Sequence, residues 1–290
     1  MFTKIVVGID GRDGGEDALA LARQLGGEDA EILLCEVVVT GSPSRATNRD
    51  FEAAMVDEAR ARLADRATAP NGAVSTHVTI APTVAKGLCE LAADEGADLI
   101  AVGSCHRGPL GRLFAGNDAD AVVHSAPCPV ALAPRGYVDA DKRVRDIGVG
   151  FNESAESDHA LALAIQLKER FDARVEVIEV LPPPWPVEVQ LYPTTIPTLR
   201  EEREQAEARL RANADIDEST VTLGGSPTRE LRDLASHTQL LVVGTRPRTS
   251  FGRAVLGTTS DALTHGLHCP LIAVPRVPNA APVVASTATS

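Results

Sequence analysis

Short apolar runs alternate with helical periodicity along the chain. The segments "IVVGID" at 5–10 and "EILLCEVVV" at 31–39 are rich in β-branched residues, which predicts buried strands. Between them, "ALALARQLG" at 18–26 places apolar residues at helical spacing, and a later apolar run, "DLIAVGS", occupies 98–104. Strands that alternate with helices predict right-handed β-α-β crossovers and a mostly parallel sheet.

The same order of segments occurs twice. "IVVGID" at 5–10 recurs as "IGVGFN" at 147–152, and "HSAPCPVALAPR" at 124–135 recurs as "HGLHCPLIAVPR" at 265–276. An offset of 141 or 142 residues has the size of a domain, which indicates a tandem duplication and not a solenoid. The predicted divisions are a first domain at 1–136, a linker at 137–146, a second domain at 147–277 and a disordered tail at 278–290.

Composition and charge argue against several classes of function. The 290 residues carry a net charge of -12 and only 3% aromatic residues, which argues against a nucleic-acid surface. No apolar run approaches the roughly 20 residues of a membrane helix, and "MFTKIVVGID" does not resemble a signal peptide. The five cysteines are odd in number and widely spaced, as expected of reduced thiols. We therefore expect a cytoplasmic protein without a membrane or nucleic-acid partner.

Two loops that follow apolar strands are the best candidates for a binding site. In an open parallel sheet, ligands bind beyond the carboxyl ends of the strands, where the loops after Asp10 and Gly103 are expected. Glycines there let backbone amides approach an anion, and a helix that begins at Gly116 adds the positive end of its dipole. The alternative is that these glycines serve only to turn the chain tightly.

The two loops, "VGSCHRGPLGRLFAGND" at 102–118 and "VGTRPRTSFGRAVLGTT" at 243–259, resemble the ATP loop of the universal stress protein domain. In that family the loop has a Gly, two residues, a second Gly, nine residues, a third Gly, and then Ser or Thr. The matching positions are Gly103, His106, Gly116 and Asn117 in the first half and Gly244, Pro247, Gly257 and Thr258 in the second. The spacing is kept, while both halves lack the second Gly and the first half lacks the Ser or Thr.

The resemblance covers nearly the whole chain and implies both a fold and a function. The implied fold is α/β, with two tandem, open-sheet, mostly parallel domains of the Rossmann-like (HUP) type. The domains are expected to pack through their last strands as an intrachain pseudo-dimer, and two chains to form a homodimer. The implied function is a stress-response binding protein for ATP, with or without Mg²⁺, or for a related adenine nucleotide.

The resemblance also implies which residues bind the nucleotide. Asp10 corresponds to the family's nucleoside-contacting aspartate, and Asn152 stands in its place in the second half. The implied binding residues are Ile9, Asp10, Val37, Val102, Gly103, His106, Arg107, Gly116 and Asn117, and then Asn152, Val180, Val243, Gly244, Arg246, Gly257, Thr258 and Thr259.

Other functions stay open at this point. One alternative is a nucleotide-free scaffold or dimerisation module with degenerate loops, and another is an enzyme that acts on a small metabolite. No residue is assigned a catalytic role, so slow ATP hydrolysis is the most that we expect. Cys105 beside His106 has no second ligand cluster at zinc spacing, so no metal site is predicted. A proline-rich insert at 181–198, which contains Trp185, suggests a lid or a partner-binding strip.

Overall fold

The structure is a computed structural model, and it describes residues 2–27, 29–40, 49–67, 74–104, 113, 115–140, 143–181, 195–245 and 263–275. The elements of the first half are β1 (Lys4–Gly8), α1 (Asp13–Gly26), β2 (Glu31–Val39), α2 (Arg49–Ala67), β3 (Val74–Ala81), α3 (Val84–Glu95), β4 (Leu99–Gly103), α4 (Asn117–Ser125) and β5 (Val130–Ala133). Those of the second half are β6 (Asp146–Phe151), α5 (Ala155–Phe171), β7 (Arg174–Leu181), α6 (Thr195–Arg211), β8 (Glu218–Leu223), α7 (Pro227–Ala235), β9 (Leu240–Thr245) and β10 (Leu271–Pro275).

The ten strands form one sheet in the order β3-β2-β1-β4-β5-β10-β9-β6-β7-β8. Within each half all pairs of neighbouring strands are parallel. Only β5 and β10 run antiparallel, with Leu132 opposite Leu271 and Val130 opposite Ala273. The predicted tandem α/β fold is confirmed, and the last strands of the two halves pair as expected from the sequence.

Apart from the edge strands β3 and β8, the strands are largely buried on both faces because helices cover both sides of the sheet. Val6 and Ile100 belong to one apolar cluster, whereas their neighbours Ile5, Val7 and Leu99 belong to the other. This alternation explains why the strands read as continuous apolar runs in the sequence. It also leaves the carboxyl ends of the strands as the place where loops can form a site.

The segment that follows β5 is fixed on α1. Asp17, which is 1% exposed, accepts backbone N–H bonds from Gly136 at 2.8 Å and from Val138 at 2.9 Å. A short 3₁₀ turn at Tyr137–Asp139 follows, and the Tyr137 ring is buried. The predicted linker therefore begins with a packed turn. The predicted tail at 278–290 and residues 182–194 of the proline-rich insert, including Trp185, lie outside the described residues.

Candidate functional site

A cavity of about 310 Å³ lies at the carboxyl ends of β1, β2 and β4. Residues of α1, α3 and α4 complete its lining. Five residues predicted for the binding site line this cavity: Ile9, Asp10, Val37, Val102 and Gly103. The volume is at the small end of the range for sites that hold small molecules, about 300–1,000 Å³.

One wall of the cavity is apolar. The side chains of Val37, Val84, Leu88 and Val122 line it, and Leu88 and Val122 are almost fully buried. Cys35 also lines the cavity, and burial, with a smaller effect of the neighbouring Glu36 carboxylate, raises the pKa of its thiol to about 12. The thiol is therefore neutral at physiological pH. Such a wall suits a flat, weakly polar group such as a nucleotide base.

Gly103 lacks a side chain because the end of β4 touches the start of α1. A β carbon at this position would lie 1.9 Å from the carbonyl oxygen of Gly14 and 2.4 Å from its carbonyl carbon. Gly244 has the same relation to Glu156 in the second half, with the nearest backbone carbon at 2.6 Å. Close packing of strand on helix is thus a sufficient reason for the first glycine of each loop.

Asp10 forms the turn that connects β1 to α1. Its carboxylate accepts a hydrogen bond from the backbone N–H of Arg12 at 3.0 Å and from the Arg12 guanidinium at 3.2 Å. Asn152 makes the equivalent turn, because its side-chain oxygen accepts from the Ser154 N–H at 3.3 Å and from the Ser154 hydroxyl at 2.7 Å. Both halves therefore keep the same Asx turn, while only Asp10 contributes a charge.

The N-terminus of α4 faces the cavity. Gly116 is the N-cap in an extended conformation and offers no side-chain cap to the first N–H groups of the helix. Those donors and the helix dipole favour an anion at this place. Asn117 is the first helical residue, and the next residue, Asp118, is exposed and lines the cavity. Asp118 was not predicted from the sequence, and its charge opposes an anion.

An ion pair between a buried carboxylate and a partly exposed arginine lies beside the cavity and was also not predicted. Glu36 lines the cavity, is 7% exposed, and accepts hydrogen bonds from Arg62 of α2 at 2.5 and 3.3 Å. The hydrogen bond to Glu36 raises the pKa of Arg62. Glu179, which is 3% exposed, and Arg209 repeat the pair at 2.8 Å in the second half. Aligning the second strand and second helix of the two halves would have revealed this repeated pair.

The second half carries acidic residues where the first half has glycine. Glu153 stands at the position of Gly11, has a positive φ of 57°, and forms an ion pair with Arg209. Glu156 stands at the position of Gly14 and is 6% exposed. Burial raises the pKa of the nearby Glu179 carboxyl. Carboxylates thus replace the glycines at two positions of the second half, although the first turns of α1 and α5 each carry two acidic residues.

The remaining predicted residues fall into two groups. Val180, Val243 and Gly244 lie at the ends of β7 and β9, as expected from the duplication. Six predicted residues lie outside the described part of the chain: His106, Arg107, Arg246, Gly257, Thr258 and Thr259.

The described residues hold neither a metal cluster nor a membrane span. Among them, no group of three or more His, Cys, Asp or Glu side chains is placed to hold a metal ion. Within the same described ranges, no helix is both long and apolar enough to span a membrane.

Comparison with known proteins gives the family. The sequence profile of the universal stress protein family matches residues 1–134 and again residues 143–275. The chain belongs to the universal stress protein family. It is a tandem member, because both halves match separately.

Individual relatives agree with this assignment. Universal stress protein Rv2319c of Mycobacterium tuberculosis is 25% identical over 211 residues, which are 70% of this chain and 72% of that protein. The crystal structure of a universal stress protein from Archaeoglobus fulgidus is 16% identical, covers 94% of this chain and 98% of its own, and gives a TM-score of 0.66. Another universal stress protein was crystallised in complex with cAMP. It is 24% identical, covers 47% of this chain and 98% of its own, and has a TM-score of 0.32, so the ligand is a property of that protein.

Proposed function

We propose that the first half of this chain binds an adenine nucleotide in the 310 Å³ cavity, and that the chain is a stress-response binding protein regulated by that nucleotide. The observation that carries the proposal is the cavity itself. It lies at the carboxyl ends of parallel strands and is lined by five of the residues predicted for binding. No residue is assigned to chemistry on the ligand.

Different parts of the lining suit the base, the ribose and the phosphates of a nucleotide. The apolar wall that includes Val37 and Leu88 would hold the base, and the exposed Asp10 carboxylate would accept hydrogen bonds from ribose hydroxyls. The uncapped first turn of α4 would receive phosphate oxygens. The negative charge of Asp118 repels the negative charges of a triphosphate. Because Mg²⁺ neutralises part of the triphosphate charge, we expect it to strengthen the binding of ATP.

The first half is the better candidate for two reasons. Gly14 lines its cavity, whereas the equivalent Glu156 adds a carboxylate in the second half. Asp10 is charged, whereas Asn152 is neutral and is held by Ser154. We therefore expect one nucleotide per chain. A homodimer, which the family resemblance implies, and a cytoplasmic location, which the composition indicates, are part of the proposal and can be tested by light scattering and cell fractionation.

Calorimetric titration of the full chain with ATP·Mg²⁺ tests the proposal. The critical variant is Asp10→Asn, because Asn152 shows that asparagine keeps the same turn. A lost hydrogen bond to a charged group costs about 1.5–3 kcal/mol, so we expect affinity to fall by about tenfold or more.

The matched control is Asn152→Asp, which should leave affinity within about twofold of the wild type. Equal effects of the two variants would contradict the assignment to the first half. A wild-type chain that binds neither ATP nor ADP, AMP or adenosine would favour the alternative function, a nucleotide-free scaffold whose loops are relics.

A further inference from the structure

The segment that leads into α4 is hydrogen-bonded to the other half of the chain. The Leu113 N–H donates to the carbonyl oxygen of Leu267 at 2.7 Å, and the Gly266 N–H donates to the carbonyl oxygen of Leu113 at 2.7 Å. The Ala115 N–H donates to the carbonyl oxygen of Thr264 at 2.8 Å. Thr264–Leu267, which we call the second-half turn, therefore holds the residues directly before the N-cap of α4.

The residues that form the contact between the second-half turn and the start of α4 are buried. Leu113 is 0% exposed and Ala115 is 4% exposed, and both pack in the same apolar cluster as Leu263 and Leu267 of the second half. Backbone hydrogen bonds within such a cluster are shielded from competition by water. The second-half turn thus contributes to holding the start of α4 in place.

Two features fix the shape of the second-half turn. Gly266 has a φ of 91°, which side-chain-bearing residues rarely adopt, and a β carbon there would meet nothing within 4 Å. The guanidinium of Arg232, on α7, donates to the carbonyl oxygen of His265 at 3.0 Å. Residues of the second half therefore determine the shape of this turn, which contacts the first half.

We propose that the second-half turn positions the N-terminus of α4 for ligand binding in the first half. The nucleotide affinity of the first half then depends on second-half residues that do not line the cavity. This inference rests on the proposed function for its ligand, but the positioning contact is independent of it. Because coupling is reciprocal, a nucleotide bound at α4 also stabilises the second-half turn. The turn would thereby report occupancy of the first half to the second half.

Gly266→Ala tests the positioning role, with Gly96→Ala as its matched control. Gly96 also has a positive φ, of 63°, and also leaves open space for a β carbon, but it ends α3 and is absent from the cavity lining. Both variants place a β carbon on a residue with a positive φ. We expect Gly266→Ala to weaken ATP·Mg²⁺ binding by about fivefold to tenfold, and Gly96→Ala to change it by less than twofold.

Amide hydrogen exchange measured by NMR separates this inference from the proposed function. The Leu113 and Ala115 amides should exchange at least about tenfold faster in Gly266→Ala than in Gly96→Ala, with or without a nucleotide. Equal exchange rates at these two amides would overturn the positioning role. Absence of any nucleotide binding by the wild type would overturn the proposed function while this exchange difference still tests the contact.

Arg232→Ala provides a second variant in case Gly266→Ala does not fold. It removes the hydrogen bond to His265, and Arg229→Ala, on the exposed surface of the same helix, is its control. We expect faster exchange of the Leu113 amide in Arg232→Ala only. Identical exchange in the two arginine variants would count against the proposal.

Discussion

The variant Gly103→Ala tests whether close packing of β4 on α1 requires a glycine at position 103. The new β carbon would lie 1.9 Å from the carbonyl oxygen of Gly14, whereas ordinary contacts begin at 3.4 Å. The first turn of α1 must therefore retreat by about 1.5 Å, because a backbone carbonyl cannot rotate away as a side chain can. This shift of α1 would also move Asp10, which lies in the connection between β1 and α1.

The cost follows from what α1 buries. Leu21 and Leu25 of this helix are each 1% exposed and pack in the main apolar cluster, so a shift of the helix opens that cluster. Overpacking ordinarily costs about 1–3 kcal/mol, and a clash with rigid backbone belongs at the upper end. We expect Gly103→Ala to lower the free energy of unfolding by about 3 kcal/mol or more.

Urea denaturation followed by circular dichroism, without a ligand, measures this cost. Gly244→Ala should lose less stability, because its β carbon would meet Glu156 at 2.6 Å. Gly8→Ala should lose least, since its nearest neighbour is a methyl of Leu88 at 3.1 Å. If Gly103→Ala were as stable as Gly8→Ala, close packing of β4 on α1 could not be the reason for the glycine.

Three further predictions concern the loops and the cavity. Glu153→Gly should be about 1 kcal/mol more stable than Glu153→Ala in urea denaturation. Both variants lose the ion pair with Arg209, but a positive φ strains alanine and does not strain glycine. Cys35 should resist iodoacetamide at pH 8 in the native chain and react once urea unfolds it. Its raised pKa of about 12 leaves about one thiolate in ten thousand in the native state at that pH, and this fraction grows only as pH rises towards 12. Asp118→Asn should tighten ATP binding about threefold to tenfold in calorimetry and leave adenosine binding unchanged, because only the phosphates meet the lost charge.

Most of the architecture could be predicted from the sequence. The buried strands carry continuous apolar runs, and the matching segments at 5–10 and 147–152 reveal the duplication. Parallel strands place Asp10 and Gly103 at the same edge of the sheet, so the position of the site also follows from topology. These inferences depend on local pattern and on chain connectivity, which the sequence records directly.

The contacts that need three-dimensional packing could not be predicted in this way. The sequence suggested that Gly103 admits an anion, but its neighbour is the Gly14 carbonyl, which lies far away in the chain. Likewise, the sequence of the loop does not link Leu113 to Leu267, because their hydrogen bond depends on how the two halves pack in three dimensions. Asp118 follows the last position of the family pattern, and only its second-half equivalent, Thr259, was predicted from the sequence.

A crystal structure of the full chain soaked with ATP·Mg²⁺ tests the central claim most directly. The account predicts nucleotide density in the first-half cavity, with the ribose beside Asp10 and phosphate oxygens at the N-terminus of α4. Density at the equivalent place in the second half alone, beside Asn152, would contradict it, as would an empty first-half cavity at saturating nucleotide.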